Sequence, residues 1–263
     1  MTELFARINA GSRLLSWTGW IHVALAVVFI LCIAVDSTNV YGINAWVKPV
    51  KFSVSIAVYV WTMALLFAPL GDWWAKPWLG RGIAISMFAE ITLIAMQSGR
   101  GVPSHFNSTT PFNAAVFGLM GLMILFNTLL AFGVFLGWVW RDVAVDPLIG
   151  AGVRTGLILF MMGSLVGVIM IVLQGHTIGA LDGGPGLPFL NWSTMHGDLR
   201  VAHAVGLHAL QAIPLAAWWI STRMRGSSRT ARATALMAVS LVYLCGLLFT
   251  LRQAFMGKPL VRM

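Results

Sequence analysis

Long apolar stretches recur along the whole of this chain, and they constrain its fold more than any other feature. Each is about 20 residues long, the length that an α-helix needs to cross a bilayer. Because backbone groups inside a membrane must form their hydrogen bonds within the segment, such stretches are expected to be helical. The sequence predicts seven spans, at Trp17–Val35, Phe52–Leu70, Gly82–Met96, Asn113–Val139, Gly156–Leu173, Arg200–Ser221 and Ala233–Leu251.

The composition supports a protein that is embedded in the membrane along its whole length. Of the 263 residues, 59% are hydrophobic and 10% are charged, whereas soluble domains carry about 25% charged residues. We therefore predict an all-α fold, a polytopic transmembrane helical bundle that forms a single integral-membrane domain over residues 1–263. The net charge of +9 favours basic loops that face anionic lipid over a nucleic-acid partner.

The distribution of lysine and arginine predicts the orientation, because cytoplasmic loops of membrane proteins are enriched in them. With the N-terminus in the cytoplasm, ten of these residues fall in cytoplasmic segments and seven in outer segments. The densest basic segment, from Arg223 to Arg232, then lies inside. The sequence thus predicts a multi-pass protein of the plasma membrane with a cytoplasmic N-terminus and an outer C-terminus.

Histidines are concentrated on the predicted outer side. Five of the six fall in or beside outer segments, namely His105, His176, His196, His203 and His208. Arg100 and Arg200 accompany them, and Glu90 lies within the third span. Ionisable residues at membrane depth are rare and usually mark a functional site, so we expect an outward-facing polar pocket here.

The helical period places several of these residues on common faces. In the sixth span, Arg200 and Gln211 lie within about 20° of each other, and His208 lies about 12 Å deeper than Arg200. Glu90 is also about 12 Å from the outer end of its span. Glu90 and His208 are therefore predicted to face each other and exchange protons. The alternative is that both residues only form hydrogen bonds between helices.

The histidine cluster suggests a cofactor. His105 and His203 are expected to meet at the outer surface and, with His208, to bind haem b or a divalent metal ion. Arg100, Arg200 and Gln211 would then bind haem propionates or an anionic substrate. The leading hypothesis from the sequence is a membrane redox protein whose substrate is a small molecule, a quinone or a lipid.

Three other functions remain open at this point. A metal-bound water would make the protein a lipid hydrolase. Glu90 and His208 without any cofactor would suit a proton-coupled small-molecule carrier. The polar residues would only stabilise helix contacts in a structural or assembly subunit. The sequence leaves open whether the protein is an enzyme, and it leaves the oligomeric state open.

Some local patterns have structural interpretations. Gly163-x-x-x-Gly167 is typical of closely packed helices. Asp198 comes directly before the sixth span and is therefore predicted to cap it. Lys48 and Lys51, beside Pro49, are expected to extend towards lipid headgroups, and the alternative is that they bind an anionic ligand together with Arg100 and Arg200.

Three segments, Asn44–Phe52, Arg100–Asn107 and Gly197–Gln211, resemble a group of uncharacterised bacterial multi-pass membrane proteins. The resemblance implies a bacterial inner-membrane location and no particular activity. A second comparison is with the seven-span metal hydrolases that include alkaline ceramidases and adiponectin-receptor-like proteins. Those carry His-x-x-x-His on the last span, whereas here His203 and His208 are five residues apart on the penultimate one.

Overall fold

A computed structural model of the chain describes residues 2–262. The described residues form eight α-helices and two short antiparallel ribbons. The helices are α1 (Thr2–Gly11), α2 (Arg13–Val35), α3 (Val47–Phe67), α4 (Lys76–Gly99), α5 (Pro111–Trp140), α6 (Pro147–Leu173), α7 (Leu199–Arg223) and α8 (Arg229–Phe255). One ribbon pairs β1 (Asn39–Val40) with β2 (Ile43–Asn44), and the other pairs β3 (Thr177–Ile178) with β4 (Gly197–Asp198).

The helices α2 to α8 are long and apolar enough to cross a membrane. Each transmembrane segment has at least 23 residues, which corresponds to about 34 Å of helix and exceeds the roughly 30 Å of a hydrocarbon core. Helix α3 reaches this length by continuing into a 3-10 turn at Ala68–Leu70. The predicted all-α, seven-span class is therefore confirmed.

The third span is longer than predicted at both ends. It begins at Lys76, with Pro77 in its first turn, and ends at Gly99 rather than Met96. Proline is tolerated in the first turn because the N–H that it lacks has no partner within the helix there. The polar residues Gln97 and Ser98 continue the helix, although they lie outside the apolar stretch from which the span was predicted.

Helix α1 was not predicted from the sequence. Its ten residues measure about 15 Å, too short to cross a bilayer. The helix packs through Ile8, which is 2% exposed, and through Phe5. The Phe5 ring centroid lies 5.0 Å from that of Trp20 and 5.5 Å from that of Trp61, so α1 is attached to the first two long helices by aromatic contacts.

The chain divides into two compact units. The first contains the described residues up to Ala131 together with Gly183–Asn191, and the second contains Phe132–Asp182 together with the described residues from Trp192 onward. In the first unit, α3 packs against α1, α2 and α4. In the second unit, α7 packs against α6 and α8. The single domain over residues 1–263 stays a prediction.

Helices α6 and α7 of the second unit approach each other through glycine. A Cβ atom built on Gly206 would lie 2.3 Å from the Cα of Gly163, a separation that no side chain can occupy. One turn along α6, a Cβ on Gly167 would lie 3.1 Å from Cε1 of His203. The close-packing role predicted for Gly163 and Gly167 is therefore confirmed.

Polar residues cap the N-termini of several helices. The Asp198 carboxylate accepts a hydrogen bond from the backbone N–H of Arg200 at 3.0 Å, which confirms the predicted cap of α7. Asp146 caps α6 in the same way through the N–H of Leu148 at 2.8 Å. These bonds satisfy N–H groups that have no partner within the helix.

The glycine contact predicts a strong effect of one methyl group. Replacing Gly206 by alanine should push α6 and α7 apart and lower the free energy of unfolding by about 1–3 kcal/mol. The measurement is thermal unfolding in detergent. The matched control is Gly246→Ala in α8, where no atom lies within 4 Å of the new Cβ. A melting temperature of Gly206→Ala equal to that of the control would contradict the prediction.

Candidate functional site

A carboxylate, an imidazole and an ammonium group meet in the first unit. Glu90 lies on α4, His105 lies in the loop between α4 and α5, and Lys48 lies in the first turn of α3. His105 Nε2 is 3.5 Å from Glu90 Oε1, and His105 Nδ1 is 3.0 Å from Lys48 Nζ. The imidazole therefore stands between the acid and the amine.

Glu90 is the most deeply buried member of this group. Its side chain is 1% exposed, whereas that of His105 is 24% exposed. Within the described residues, neither carboxylate oxygen of Glu90 accepts a hydrogen bond, and the 3.5 Å contact with His105 has the length of an ion pair. Glu90 is thus a buried carboxylate whose charge can be balanced by the neighbouring imidazole, and the charge of Lys48 also acts on it.

The loop after α4 brings His105 back towards Glu90. The chain reverses at the end of α4, where Val102 N donates to Gln97 O at 3.1 Å. Gly101 follows the helix with φ +67°, a backbone angle that glycine adopts without strain. Further along the loop, Asn107 Nδ2 donates to Pro103 O at 2.8 Å. These bonds hold the loop folded around His105.

The neighbours of His105 determine its tautomer. A lysine ammonium has three donors and no acceptor, so Nδ1 of His105 must accept the hydrogen bond from Lys48 Nζ. In the neutral ring, the proton is then on Nε2, the atom that faces Glu90. Ser104 Oγ lies 3.1 Å from the same Nδ1 and can either donate or accept. Nε2–H is thus directed at the buried acid.

Aromatic rings enclose the imidazole. The ring centroid of His105 lies 5.8 Å from that of Phe52, 6.0 Å from that of Phe106 and 6.3 Å from that of Phe117. Phenylalanine offers no strong hydrogen-bond donor or acceptor, whereas Lys48, Ser104 and Glu90 contact the ring nitrogens with polar groups. The site therefore combines an apolar wall with a short polar chain.

Arg100 belongs to a second polar network of the first unit. Its Nη1 donates to Asn113 Oδ1 at 2.7 Å and also to Gln97 Oε1. Gln97 Nε2 donates to Asn113 Oδ1 at 3.2 Å, and the guanidinium lies 4.7 Å from the ring centroid of Phe112. These amide and aromatic partners are neutral, so they orient the positive charge of Arg100 without cancelling it.

Arg200, in the second unit, is paired with an acid. Its Nη2 is 2.6 Å from Asp198 Oδ2. His176 Nδ1 lies 3.2 Å from Asp182 Oδ1 and 3.7 Å from Asp198 Oδ1. Burial raises the pKa of Asp198, but the hydrogen bonds and charge of Arg200, together with His176, outweigh burial and hold that pKa below its ordinary value.

The other predicted site residues of α7 have different environments. His203 is half-buried, and its Nδ1 is 2.8 Å from the carbonyl oxygen of Gly163. His208 is exposed, and Gln211 is half-buried. His105 belongs to the first unit, whereas His203 and His208 belong to the second. The meeting of His105 with His203, and that of Glu90 with His208, stay predictions.

The structure thus joins Glu90 to one of the predicted site residues, His105, and adds Lys48, which was expected to extend towards headgroups. The signal for Lys48 in the sequence is its place just before a predicted span, where binding of an anionic ligand with Arg100 was the alternative to contact with headgroups. Within residues 2–262, no three His, Cys, Asp or Glu side chains are grouped as ligands of one metal ion. Haem or metal binding stays a prediction.

The Asp198–Arg200 pair predicts a pH-dependent contribution to stability. Because the pKa of Asp198 is lower in the folded protein than its ordinary 3.8, the ionised carboxylate stabilises the fold at all higher pH. This contribution is lost as the pH falls through the lowered pKa. Asp198→Asn should therefore cost about 3 kcal/mol at neutral pH, and the difference from wild type should shrink below pH 3.8.

Thermal unfolding across this pH range measures the effect of Asp198→Asn. Asparagine is also a good N-cap residue, so the variant removes the charge and keeps a helix cap. The control is Asp142→Asn, because Asp142 is exposed in the loop between α5 and α6. A deficit of Asp198→Asn that is the same at every pH would contradict the ion-pair explanation.

Comparison with protein-family models, with curated proteins and with solved structures finds no match to this chain.

Proposed function

We propose that this multi-pass membrane protein is a proton-coupled carrier, in which Glu90 binds the proton and His105 delivers and removes it. The observation that carries the proposal is the 3.5 Å approach of His105 Nε2 to Glu90 Oε1, a carboxylate that is 1% exposed. Ionisable residues within membrane spans are typical of the proton relays of pumps and transporters. Proton-coupled transport was one of the alternatives that the sequence left open.

The surroundings of Glu90 support two states that differ in the position of one proton. An ionised carboxylate that accepts no hydrogen bond is costly in apolar surroundings, unless a cation lies beside it. Glu90 can therefore be protonated beside neutral His105, or ionised beside protonated His105. In both states the pair carries no net charge, and the difference between them is the position of the proton.

The geometry of His105 suggests how the proton moves. A proton that reaches Nδ1 converts the ring into an imidazolium, which carries a proton on each nitrogen. The ring then releases the Nε2 proton to Glu90 Oε1 and becomes neutral again, with its proton on Nδ1. One proton has passed through the ring from Nδ1 to the buried acid, and no bond other than N–H and O–H has changed.

The positive charges of the first unit suggest the class of solute. In the described part of the chain, the partners of Arg100 are neutral amides and an aromatic ring, so its positive charge remains available to an anion. Lys48 adds a second positive charge beside His105. We infer that the solute is a small anion, in agreement with the role predicted for Arg100. A proton carried with an anion would lower the charge that crosses the membrane.

The orientation that we propose follows the distribution of lysine and arginine. With the basic segment Arg223–Arg232 in the cytoplasm, the Lys48 end of α3 opens to the outside of a bacterial inner membrane. His105 then receives protons from the outer aqueous phase, where the proton concentration is higher in respiring bacteria. The carrier would accordingly act as an importer that is driven by the proton gradient.

The relay predicts a distinct infrared signature for Glu90. A buried protonated carboxyl group that forms no strong hydrogen bond should give a resolved carbonyl stretching band, which disappears on ionisation. We expect the band in the purified wild type and its loss in Glu90→Gln. The control is Glu3→Gln, which removes an exposed carboxylate that is paired with Arg7 at 2.8 Å. His105→Gln should keep the band but slow its response to a pH jump about a hundredfold.

Transport itself is tested in proteoliposomes with an imposed pH gradient and a panel of small carboxylate and phosphate anions. We expect uptake of at least one anion that requires the gradient and is lost in Glu90→Gln. The control is His196→Gln, which replaces a histidine of the second unit and should transport normally. Uptake that persists in Glu90→Gln at an unchanged rate would overturn the assignment of the proton site.

A second candidate function, haem or metal binding by His203, is supported by one contact. A carbonyl oxygen only accepts hydrogen bonds, so Nδ1 of His203 must donate to Gly163 O at 2.8 Å. The lone pair of the neutral ring is then on Nε2. This arrangement, with Nδ1–H bound to a backbone carbonyl, is common in histidines that ligate metal ions.

The optical spectrum and the metal content of the purified protein test this second candidate. Haem would give a Soret band that shifts on reduction with dithionite, and a zinc site would give about one zinc per chain without colour. Either signal should be lost in His203→Ala and kept in His196→Ala. A cofactor that is retained in full by His203→Ala would contradict the assignment of the ligand.

A further inference from the structure

A long apolar groove runs between α6 and α8 of the second unit. Its volume is about 400 Å³. Ten of its twelve lining residues are apolar, and the other two are Thr155 and Ser240. Its walls are six residues of α6, between Leu148 and Met162, and six residues of α8, between Ala233 and Leu244.

The dimensions of the groove suit a hydrocarbon chain. From Leu148 to Met162 the wall measures about 21 Å along α6, somewhat more than the roughly 15 Å thickness of one leaflet of a bilayer core. Of the seven long helices, α8 has the smallest buried share, 11% of its apolar window. The groove therefore lies beside the helix that offers the most surface to lipid.

One end of the groove is strongly basic. It ends at Ala233, directly after Arg232 and one turn after Arg229 in the first turns of α8. Arg232 Nη1 lies 3.8 Å from Asp146 Oδ2, and its Nε is buried without a hydrogen bond in the described part of the chain. The positive end of the α8 dipole adds to this field.

Asp146 balances only part of this charge. Its carboxylate also accepts hydrogen bonds from the backbone N–H of Leu148 and from the hydroxyl of Ser221. The pKa of Asp146 lies below its ordinary value despite burial. The hydrogen bond from Ser221 lowers this pKa most, and the bond from Leu148 and the charges of Arg232 and Arg229 lower it further. One carboxylate that is shared in this way leaves net positive charge at the end of the groove.

We propose that the α6–α8 groove binds an anionic phospholipid, with an acyl chain along the groove and the phosphate beside Arg229 and Arg232. Basic residues between transmembrane helices are suited to anionic headgroups. The apolar walls supply affinity for the chain, since each buried CH₂ group contributes about 0.8 kcal/mol. The arginines supply selectivity for the negative headgroup. This site is independent of the proton relay and does not rest on the proposed function.

Native mass spectrometry tests the proposal on the full chain purified in detergent. The probes are phosphatidylglycerol, which is anionic, and phosphatidylcholine with the same acyl chains, which has no net charge. We expect the wild type to retain phosphatidylglycerol preferentially. The double variant Arg229→Ala/Arg232→Ala should reduce that retention by about tenfold or more. Equal retention of the two lipids by the wild type would overturn the proposal.

The control variant removes two arginines elsewhere, Arg252→Ala/Arg262→Ala, at exposed positions near the other end of α8 and in the C-terminal segment. It should retain phosphatidylglycerol like the wild type. An equal loss in this control would show general attraction to positive charge and would overturn the proposal. Thermal unfolding in lipid-free detergent must be unchanged in both double variants, which separates loss of binding from loss of fold.

A second variant blocks the groove without changing its charge. Ala151→Phe should fill the space that we assign to the acyl chain and reduce retention of phosphatidylglycerol to the level of the arginine double variant. Unchanged retention in Ala151→Phe would overturn the placement of the chain. A wild type that is dimeric in detergent and becomes monomeric in Ala151→Phe would show that a second copy covers the groove, which would also overturn the proposal.

Discussion

A polar group inside an apolar helical bundle must find its partner within the protein, because the surrounding hydrocarbon offers none. Most buried polar side chains here obey this constraint locally. Ser86 donates to the carbonyl oxygen of Gly82 on its own helix at 2.7 Å, and Tyr59 donates to Asn127 at 3.1 Å. Glu90 departs furthest from it, since neither of its two carboxylate oxygens accepts a hydrogen bond in the described residues. A group that departs from the general pattern at such cost is the strongest indication of function in this chain.

The sequence was sufficient for the long helices, because the length of an apolar stretch directly reflects the thickness of a membrane. It was insufficient for their ends and for α1. Polar residues such as Gln97 extend a helix without extending the hydrophobic signal. Helix α1 carries a weak signal of its own and is stabilised by tertiary contacts, chiefly those of Ile8 and of Phe5 with Trp20 and Trp61. The close approach at Gly163 was predictable, because small residues at that spacing allow backbones to meet.

The candidate site was predictable in its helical part only. Glu90 is buried, as its place within a predicted span indicated, whereas its depth in the membrane and the common face of Arg200 and Gln211 stay predictions. Periodicity says nothing about a loop, and the partner of Glu90 comes from a loop. The position of His105 depends on the reversal at Gly101 and on the bond from Asn107 to Pro103, which are tertiary and turn features. The contact of Lys48 with His105 was missed for a similar reason. The two residues are 57 positions apart in the chain, so the local pattern around Lys48 indicated only lipid headgroups.

The contacts of Nδ1 bear on whether the proposed relay can turn over. After one proton has passed, the neutral ring carries its proton on Nδ1, and Lys48 as an ammonium cannot accept it. Ser104 Oγ, 3.1 Å from Nδ1, can accept that proton in a hydrogen bond and can also donate. The serine therefore stabilises the tautomer that Lys48 disfavours. Lys48 favours the tautomer with the proton on Nε2, which faces Glu90. Ser104 can accept a hydrogen bond from the other tautomer, which carries the proton on Nδ1. A relay passes through both tautomers, and each of them has a hydrogen-bond partner at Nδ1, Lys48 for one and Ser104 for the other.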